Sequence, residues 1–430
     1  MGTGRTAVTR RAVLGAAAGL ATSGLTAGCS KGLQNTSGGG GQTIKIGYIS
    51  PKTGQLAVFG ESNDYVLGVV RQALAKGITV GGKTWTVEIL ERDSQSSSAR
   101  AAQVAGELIN QAQVDIILAT STPDTTNPVS DQCEAAQVPC VATICPWEIW
   151  FYPRGGSATR NFSYTYLYFI GTESEAQVFA KLWQRVPGGS HVVGALWPND
   201  VDGESYRKYV SPAVQNLKWK LVDSGAYQDG AQDFTSIISS FRSGGVDILQ
   251  ATPIPPDFIT FWRQAGQNRF QPRLVTVAKA LLFPSVAEAL GPLADNLVAP
   301  AWWHPAVPFQ SSLDGTTAQH FADAYQQKTG KQWTQPMGFN HAIFEIAVAA
   351  LKASGAPKDR KAVAAAIGKL KGQAITGRYD FTAGPVPNVA LAPDIIGQWR
   401  LGTGGKFDLV VVDNSADPSI PVQSDLKLLR

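Results

Sequence analysis

The sequence has little charge, little histidine and little cysteine. Charged residues make up 16% of the 430 residues, and 37 basic against 33 acidic side chains give a formal net charge of +4. So small an excess does not indicate a nucleic-acid partner. The four histidines and four cysteines include no pair at HExxH or CxxC spacing, which argues against a zinc site of these ligands. We therefore expect no metal, no cofactor and no enzymatic activity.

Apolar residues are plentiful, at 44% of the chain, so a large core is available. Short apolar runs such as residues 44–49 and 114–119 predict strands, and they alternate with segments of helical spacing. This alternation predicts parallel sheets with helices on both faces. Two such blocks, 44–145 and 190–280, predict an α/β protein of two similar doubly wound lobes. Ligands of these sheets bind at the carboxyl ends of the strands.

The first 42 residues have the features of an export signal. Arg10 and Arg11 directly precede the apolar run 12–27, an arrangement typical of twin-arginine signals. The segment Leu25 to Cys29 resembles a lipobox, in which the cysteine becomes the lipidated first residue. Residues 1–28 are therefore predicted to be a signal peptide and 29–42 a flexible tether. This predicts a protein outside the cytoplasm, anchored through Cys29, although a cleaved signal with an incidental cysteine remains the alternative.

Residues 77–84 match the GxxxxGK[ST] pattern of a phosphate-binding loop. That loop needs a strand before it and a helix after it, so that amides and the helix dipole face the phosphates. Here the order is inverted, because a predicted helix precedes the segment and a predicted strand follows it. We interpret it as a turn in which glycines adopt positive φ.

Several short motifs occur in an order that is informative as a whole. They are Lys45–Gly54 followed by Phe59-Gly60, Arg92-Asp93-Ser94, the hydroxyl-rich loop Thr120–Thr126, Gln232-Asp233-Phe234 and Gly377–Phe381. Their order and spacing resemble the leucine/isoleucine/valine-type solute-binding proteins, which are type I periplasmic binding proteins of ABC transporters.

The resemblance implies two α/β lobes joined by three crossovers, which close on a ligand by hinge bending. Lobe one would comprise residues 43–164 and 300–385, and lobe two residues 165–299 and 386–430. It also implies a monomeric receptor that binds a small organic ligand, such as a branched-chain amino acid or related carboxylate, and contacts an ABC permease. An exported ligand sensor, or an envelope enzyme built on the same fold, is the alternative.

Ligand-binding positions can be carried over residue by residue. Ser121 and Thr122 would bind a ligand carboxylate, although Pro123 lacks the N–H that the family uses. Asp202 stands where the family has an aromatic residue before a glycine. Lys279 stands where the family has the acid that pairs with a ligand's ammonium. The full implied set is Phe59, Ser121, Thr122, Asp124, Cys145, Pro146, Trp147, Asp202, Lys279 and Phe339.

Lys279 leaves two interpretations open. Either it points to solvent and the nearby aromatic residues, such as Trp147 and Trp302, pack between the lobes, or it faces an acidic group on an apolar or aromatic ligand. For an amino-acid ligand, Asp202 or Asp257 could replace the missing acid, because an unpaired buried charge is costly.

Lipidation of Cys29 would leave three cysteines in an oxidising compartment. Cys133 is predicted near the end of a helix and Cys140 at the start of the next strand. That return can bring their Cα atoms within disulfide reach. We predict a Cys133–Cys140 bridge with Cys145 free; three buried thiols are the alternative.

Overall fold

The computed structural model describes residues 42–429 and Gly2. The predicted signal, tether and Cys29 lie outside these residues. The strands are β1 Thr43–Ser50, β2 Ile78–Val80, β3 Lys83–Asp93, β4 Ile116–Thr120, β5 Cys140–Thr143, β6 Thr165–Phe169, β7 Val192–Leu196, β8 Lys220–Asp223, β9 Ile248–Ala251, β10 Leu274–Val277, β11 Val298–Pro300, β12 Lys371–Ala374, β13 Gly377–Asp380, β14 Val389–Leu391, β15 Ile396–Leu401 and β16 Phe407–Asp413.

The helices alternate with these strands up to β11 and then form a consecutive group. They are α1 Asn63–Ala73, α2 Ser98–Asn110, α3 Pro123–Ala135, α4 Trp147–Phe151, α5 Thr172–Trp183, α6 Val201–Asn216, α7 Thr235–Gly244, α8 Pro255–Gln267, α9 Pro284–Leu290, α10 Ala318–Thr329, α11 Gln335–Ser354 and α12 Arg360–Ile367. Within the described part of the chain, no helix combines the length and apolar character that a membrane span requires.

Two seven-stranded sheets form the cores of two lobes, which confirms the predicted fold class. The first sheet has the order β14-β6-β5-β4-β1-β3-β2, and the second has the order β16-β15-β11-β10-β9-β7-β8. The central strands of both sheets are parallel, as in β1 beside β4 and β7 beside β9. Every residue of β4, β5, β9 and β10 is buried. Such continuous burial is expected for parallel strands covered on both faces.

The chain changes lobes later than the sequence suggested. Strand β6 pairs with β5, and β14 pairs with β6, so residues 165–169 and 389–391 belong to the first sheet. The reason is that β6 is a fully buried aromatic strand that continues the parallel ladder of β5. The predicted boundaries at 164/165 and 385/386 therefore fall short of these strands. The three crossovers lie between β6 and α5, between β11 and α10, and between β14 and β15.

The phosphate-loop-like segment forms a hairpin. Strands β2 and β3 pair antiparallel around Gly81 and Gly82, whose φ values are +57° and +75°. The two glycines supply the positive φ that such a turn needs. Because β3, and not a helix, follows the turn, this segment lacks the helix N-terminus that a phosphate site requires.

Candidate functional site

Two neighbouring cavities lie between the lobes, at the carboxyl ends of the strands. The inner cavity has a volume of about 20 Å³, which holds roughly one water molecule. It is lined by Phe59, Thr122, Pro123, Ile144, Pro146, Glu175, Asp202, Tyr206, Thr252, Ala278, Lys279 and Trp302. The mouth cavity has a volume of about 400 Å³ and is lined by Gly54, Gln55, Leu56, Gln95, Ser96, Ser98, Thr122, Asp124, Asp200, Asp229, Ile254 and Lys279. Thr122 and Lys279 line both cavities.

In each lobe, one of the residues that line the inner cavity directly precedes a glycine. A Cβ atom on Gly60 would lie 2.0 Å from the carbonyl oxygen of Pro51, and one on Gly203 would lie 2.0 Å from that of Pro198. Only glycine tolerates so close a backbone contact. The preceding residues, Phe59 in lobe one and Asp202 in lobe two, line the inner cavity.

Three non-glycine residues with positive φ follow strands that end at the cleft. Ser121 after β4 has φ +125°, Ile144 after β5 has φ +56°, and Lys279 just after β10 has φ +54°. Such conformations cost about 1–3 kcal/mol each and persist where the surrounding structure imposes them. Backbone strain is thus present on both walls of the cleft.

The lobe-one wall carries buried hydroxyl groups at the start of helix α3. The side-chain oxygens of Ser121, Thr122 and Thr126 are buried and have no hydrogen-bond partner among residues 42–429. Thr122 is the N-cap residue of α3, yet its side chain makes no capping hydrogen bond. A helix N-terminus attracts negative charge, and unpaired hydroxyl groups beside it can donate hydrogen bonds. The chemistry of this wall suits a carboxylate.

The lobe-two wall carries a buried ion-pair triad. Lys279 Nζ lies 2.7 Å from Asp200 Oδ2 and 2.7 Å from Asp202 Oδ2, and its side chain is only 6% exposed. Asp200 also caps helix α6, because its Oδ1 accepts a hydrogen bond from Gly203 N at 2.6 Å. Burial alone would lower the pKa of Lys279, but Asp202 and Asp200 raise it well above its usual range. Lys279 is therefore a buried cation held by two carboxylates, and it does not point to solvent.

Glu175 is a second buried acid on the lobe-two wall. It accepts hydrogen bonds from the hydroxyl group of Tyr206 and, at 3.4 Å, from Trp302 Nε1. Burial raises the pKa of Glu175 to about 7, against the effect of these two donors, while Asp202 raises it further. No cation within the described residues forms a salt bridge with Glu175. Glu175 is therefore a buried acid held by two neutral hydrogen-bond donors.

Acidic side chains outnumber cations around the cleft. Partial burial raises the pKa of Asp124 and Asp257, and it raises that of Asp229 to about 6. In each case Asp200 raises the pKa further and Lys279 opposes it. Burial likewise raises the pKa of Asp202 to about 6. The cleft therefore contains more negative charge than Lys279 alone can balance.

Six of the ten ligand positions implied by the sequence line one of the two cavities: Phe59, Thr122, Asp124, Pro146, Asp202 and Lys279. The other four do not. Ser121 is buried one residue before Thr122, and Cys145 Sγ lies 3.8 Å from Asn127 Oδ1 and from the carbonyl oxygen of Pro146. Trp147 packs on Tyr152, and Phe339 is fully buried against Phe169.

Sequence reasoning missed Glu175 and Tyr206, and it noted Trp302 only as an aromatic residue near a crossover. Glu175 lies on α5 just after the first crossover, and Trp302 lies in the second crossover. Phe169 packs edge-on against Trp302, with ring centroids 4.8 Å apart. An acid close to a lobe boundary would be a useful signal for a cleft residue. The predicted boundary at 164/165 lies too far before Glu175 to single it out.

The predicted Cys133–Cys140 disulfide differs from what the structure shows. Cys133, Cys140 and Cys145 are buried free thiols in the structure. Burial raises the pKa of the Cys133 thiol, and a hydrogen bond with Cys140 raises it further, so the predicted helix-to-strand return does bring these two side chains together. They pack there as small apolar groups, as buried cysteines commonly do.

Comparisons with known proteins agree with the two-lobed fold. A family profile described as periplasmic binding protein matches residues 43–388. The Leu/Ile/Val-binding protein homolog 7 of Brucella suis is 23% identical over 380 residues, which are 85% of either chain. Among solved structures, a leucine-binding protein from Thermotoga maritima superposes with a TM-score of 0.72 at 19% identity, covering 87% of this chain and 99% of that one. A solute-binding protein of an ABC transporter from Rhodopseudomonas palustris, in complex with 3,4-dihydroxybenzoic acid, gives 0.70 at 17% identity, with coverage of 87% and 99%.

Proposed function

The chain belongs to the periplasmic binding protein family, and from this premise we propose that it is the extracytoplasmic receptor of an ABC importer. It captures a small organic ligand, a branched-chain amino acid or a related carboxylate, between its lobes. It then presents the closed, loaded form to a permease. We expect it to act as a monomer anchored to the outer face of the cell membrane.

The observation that carries this proposal is the pairing of an apolar wall with unpartnered hydroxyl groups. Phe59, Ile144 and Pro146 offer contacts for an apolar body, and Thr122 Oγ1 lies unpaired at the N-terminus of α3. A ligand carboxylate there would gain hydrogen bonds and the favourable end of the helix dipole. The structural relatives include a leucine-binding protein and a solute-binding protein in complex with an aromatic carboxylate, and both compounds carry a carboxylate on an aliphatic or aromatic body.

The small inner cavity is compatible with this role if the lobes move. Its volume of about 20 Å³ is far below that of an amino acid, so a ligand must widen the cleft. Phe59 of lobe one meets Phe283 of lobe two edge-on, at 5.0 Å between ring centroids. Such contacts can separate as the crossovers bend, which is how hinged domains admit a ligand.

An envelope enzyme on this fold is the weaker proposal. The group that most resembles catalytic machinery is Ser311, His341 and Glu345, with His341 Nε2 lying 2.8 Å from Ser311 Oγ and 3.8 Å from Glu345 Oε1. A catalytic triad requires the acid on the other ring nitrogen, and His341 Nδ1 has no partner. All three residues are at least 98% buried and none lines either cavity.

Mass spectrometry of the solute released from gently denatured protein tests the receptor proposal. We expect a small carboxylate that rebinds the refolded protein at a ratio of one to one. A protein that releases no solute and binds neither branched-chain amino acids nor aromatic carboxylates in calorimetry would contradict the proposal.

Anchoring is tested separately by substituting the lipobox cysteine. We expect Cys29→Ser to move the protein from the membrane fraction to the medium or periplasm, because a lipidated N-terminus would no longer form. Membrane fractionation with antibody detection measures this, and Cys145→Ser is the control that should stay with the membrane. Unchanged membrane association of Cys29→Ser would contradict the lipid anchor.

A further inference from the structure

The mouth cavity has an unbalanced set of charges. Asp124 comes from lobe one, whereas Asp200 and Asp229 come from lobe two, and Lys279 is the one cation among its lining residues. Lys279 is already engaged by Asp200 and Asp202 at 2.7 Å each. Neither Asp124 nor Asp229 forms a salt bridge within the described part of the chain. Two carboxylates on opposite lobes thus face the cavity without a cation.

Two buried polar atoms beside the mouth cavity have no hydrogen-bond partner among the described residues. One is Asp229 Oδ1, and the other is Oγ1 of Thr122, a residue only 3% exposed that lines both cavities. Buried polar atoms normally have hydrogen-bond partners, and leaving one unpaired is unfavourable. Asp257, behind Asp229, accepts hydrogen bonds from Gly230 N and adds further negative charge.

We propose that the mouth cavity is a second ligand subsite, in which Asp124 and Asp229 bind a positively charged ammonium or guanidinium group of the transported solute. Thr122 lines both cavities, so its oxygen accepts a hydrogen bond from this cation while its O–H donates to the ligand carboxylate. This inference rests on the proposed receptor function and narrows its substrate class to solutes with a cationic group away from the inner cavity. Because Asp124 and Asp229 belong to different lobes, the bound cation also bridges the cleft and favours closure.

An organic cation fits this site better than a metal ion. No cluster of three metal-ligating side chains is found among the described residues, so direct coordination of a metal lacks the necessary donors. A volume of about 400 Å³ leaves space for several non-hydrogen atoms of a ligand chain beside the charged group. The raised pKa of Asp229, about 6, agrees with a site whose charge is unbalanced before a ligand binds.

Matched solutes test the subsite by calorimetry at pH 7.5 and low salt. L-Lysine is compared with L-norleucine, and 6-aminohexanoate with hexanoate, so that each pair differs only in the distal ammonium. We expect the cationic member to bind at least about tenfold more tightly, which corresponds to about 1.4 kcal/mol. Asp229→Asn, and separately Asp124→Asn, should reduce this ratio to about two. Asp323→Asn, on the exposed face of α10, is the charge-matched control that should retain the full ratio.

The two proposals can fail independently. Tight binding of norleucine or hexanoate with no preference for the cationic partner would overturn the subsite and leave the receptor function intact. A preference that survives both aspartate substitutions would also overturn it, as would failure of all four solutes to bind. Calcium chloride alone is a further arm: thermal stabilisation by Ca²⁺ that Asp229→Asn abolishes would replace the organic cation with a metal ion.

Discussion

The two lobes use the same structural device at the cleft but fill it with opposite chemistry. In both, a glycine packs against a proline carbonyl at a distance that only glycine tolerates, and the residue before it lines the inner cavity. That residue is Phe59 in lobe one and Asp202 in lobe two. Around Phe59 the wall is apolar or hydroxylic, whereas around Asp202 it contains Glu175 and Lys279.

The difference indicates that the two lobes interact with different groups of a ligand. The lobe-one wall needs no change of charge to bind a carboxylate with an apolar body, because its hydroxyl groups are already unpaired. The lobe-two wall buries the Lys279 triad, in which the cation is paired with Asp200 and Asp202, and a buried ion pair of this kind is weak evidence for added stability. A ligand that enters must be compatible with the Lys279 triad, so lobe two determines which charged groups are accepted.

The largest effect is expected from removing the cation of the triad. Lys279→Met keeps an unbranched side chain as far as Cε but removes the ammonium group, which leaves Asp200 and Asp202 as unpaired, buried carboxylates. Breaking a buried pair in this way costs about 3–5 kcal/mol of unfolding free energy. Urea denaturation measures the loss, and Asp202→Asn in the same background should recover part of it.

The matched control is Lys331→Met. Lys331 pairs with Glu61 at 2.8 Å, but its side chain is 60% exposed, so the loss should stay below about 1 kcal/mol. Equal stability of Lys279→Met and the wild type would contradict the view that lobe two is organised around a buried cation.

On lobe one, removing a hydroxyl group should affect binding and spare stability. Thr122→Val is nearly isosteric and deletes a buried oxygen that has no partner, so the unfolding free energy should stay constant or rise. Affinity for a carboxylate ligand should fall about tenfold, as expected for one lost hydrogen bond to a charged group. Calorimetry and urea denaturation measure the two quantities.

The same substitution at Thr276 should show the opposite pattern. Thr276 Oγ1 donates to the carbonyl oxygen of Leu249 at 3.0 Å and accepts from Trp183 Nε1 at 3.3 Å in the core of lobe two. Thr276→Val should therefore lower stability by about 1–3 kcal/mol and leave affinity unchanged. Wild-type affinity in Thr122→Val would remove Thr122 from the binding site.

The fold could be predicted from the sequence because its strands are short, continuous apolar runs. Runs such as 44–49 and 114–119 alternate with helical segments over most of the chain, and the two blocks of this alternation, 44–145 and 190–280, predict two lobes. The lobe boundaries were harder to predict from the sequence. The sequence of β6 indicates an apolar strand but not the lobe that contains it, and its pairing with β5 assigns it to the first sheet.

The site was partly predictable for a related reason. Thr122 lies just after β4, and Phe59 and Asp202 lie near the start of the helical segments that follow β1 and β7, so their position is set by local geometry. Lys279 was identified as unusual, but its partner Asp200 is 79 residues away in sequence, and no local pattern connects the two. Glu175 and Trp302 reach the cavity from crossovers, whose direction depends on how the lobes pack and not on sequence periodicity.

The last prediction concerns the pH dependence contributed by Glu175. Its pKa of about 7 in the folded protein lies above the model-peptide value of 4.5, so the folded state binds the proton more tightly than the unfolded state. Its stabilising contribution is complete below about pH 4.5 and is lost as the pH rises through about 7. Glu175→Gln resembles the protonated acid in shape and cannot ionise. From pH 5 to pH 8 the wild type should therefore lose roughly 1–3 kcal/mol more unfolding free energy than Glu175→Gln.

Urea denaturation across this range measures the difference, with Glu345→Gln as the lobe-one comparison, because burial also raises the pKa of Glu345 to about 7. Both variants should flatten the profile, but only Glu175→Gln should also change the pH dependence of ligand affinity, since Glu175 lines the inner cavity and Glu345 does not. Parallel pH profiles for Glu175→Gln and the wild type would show that this carboxyl group is already ionised in the folded protein.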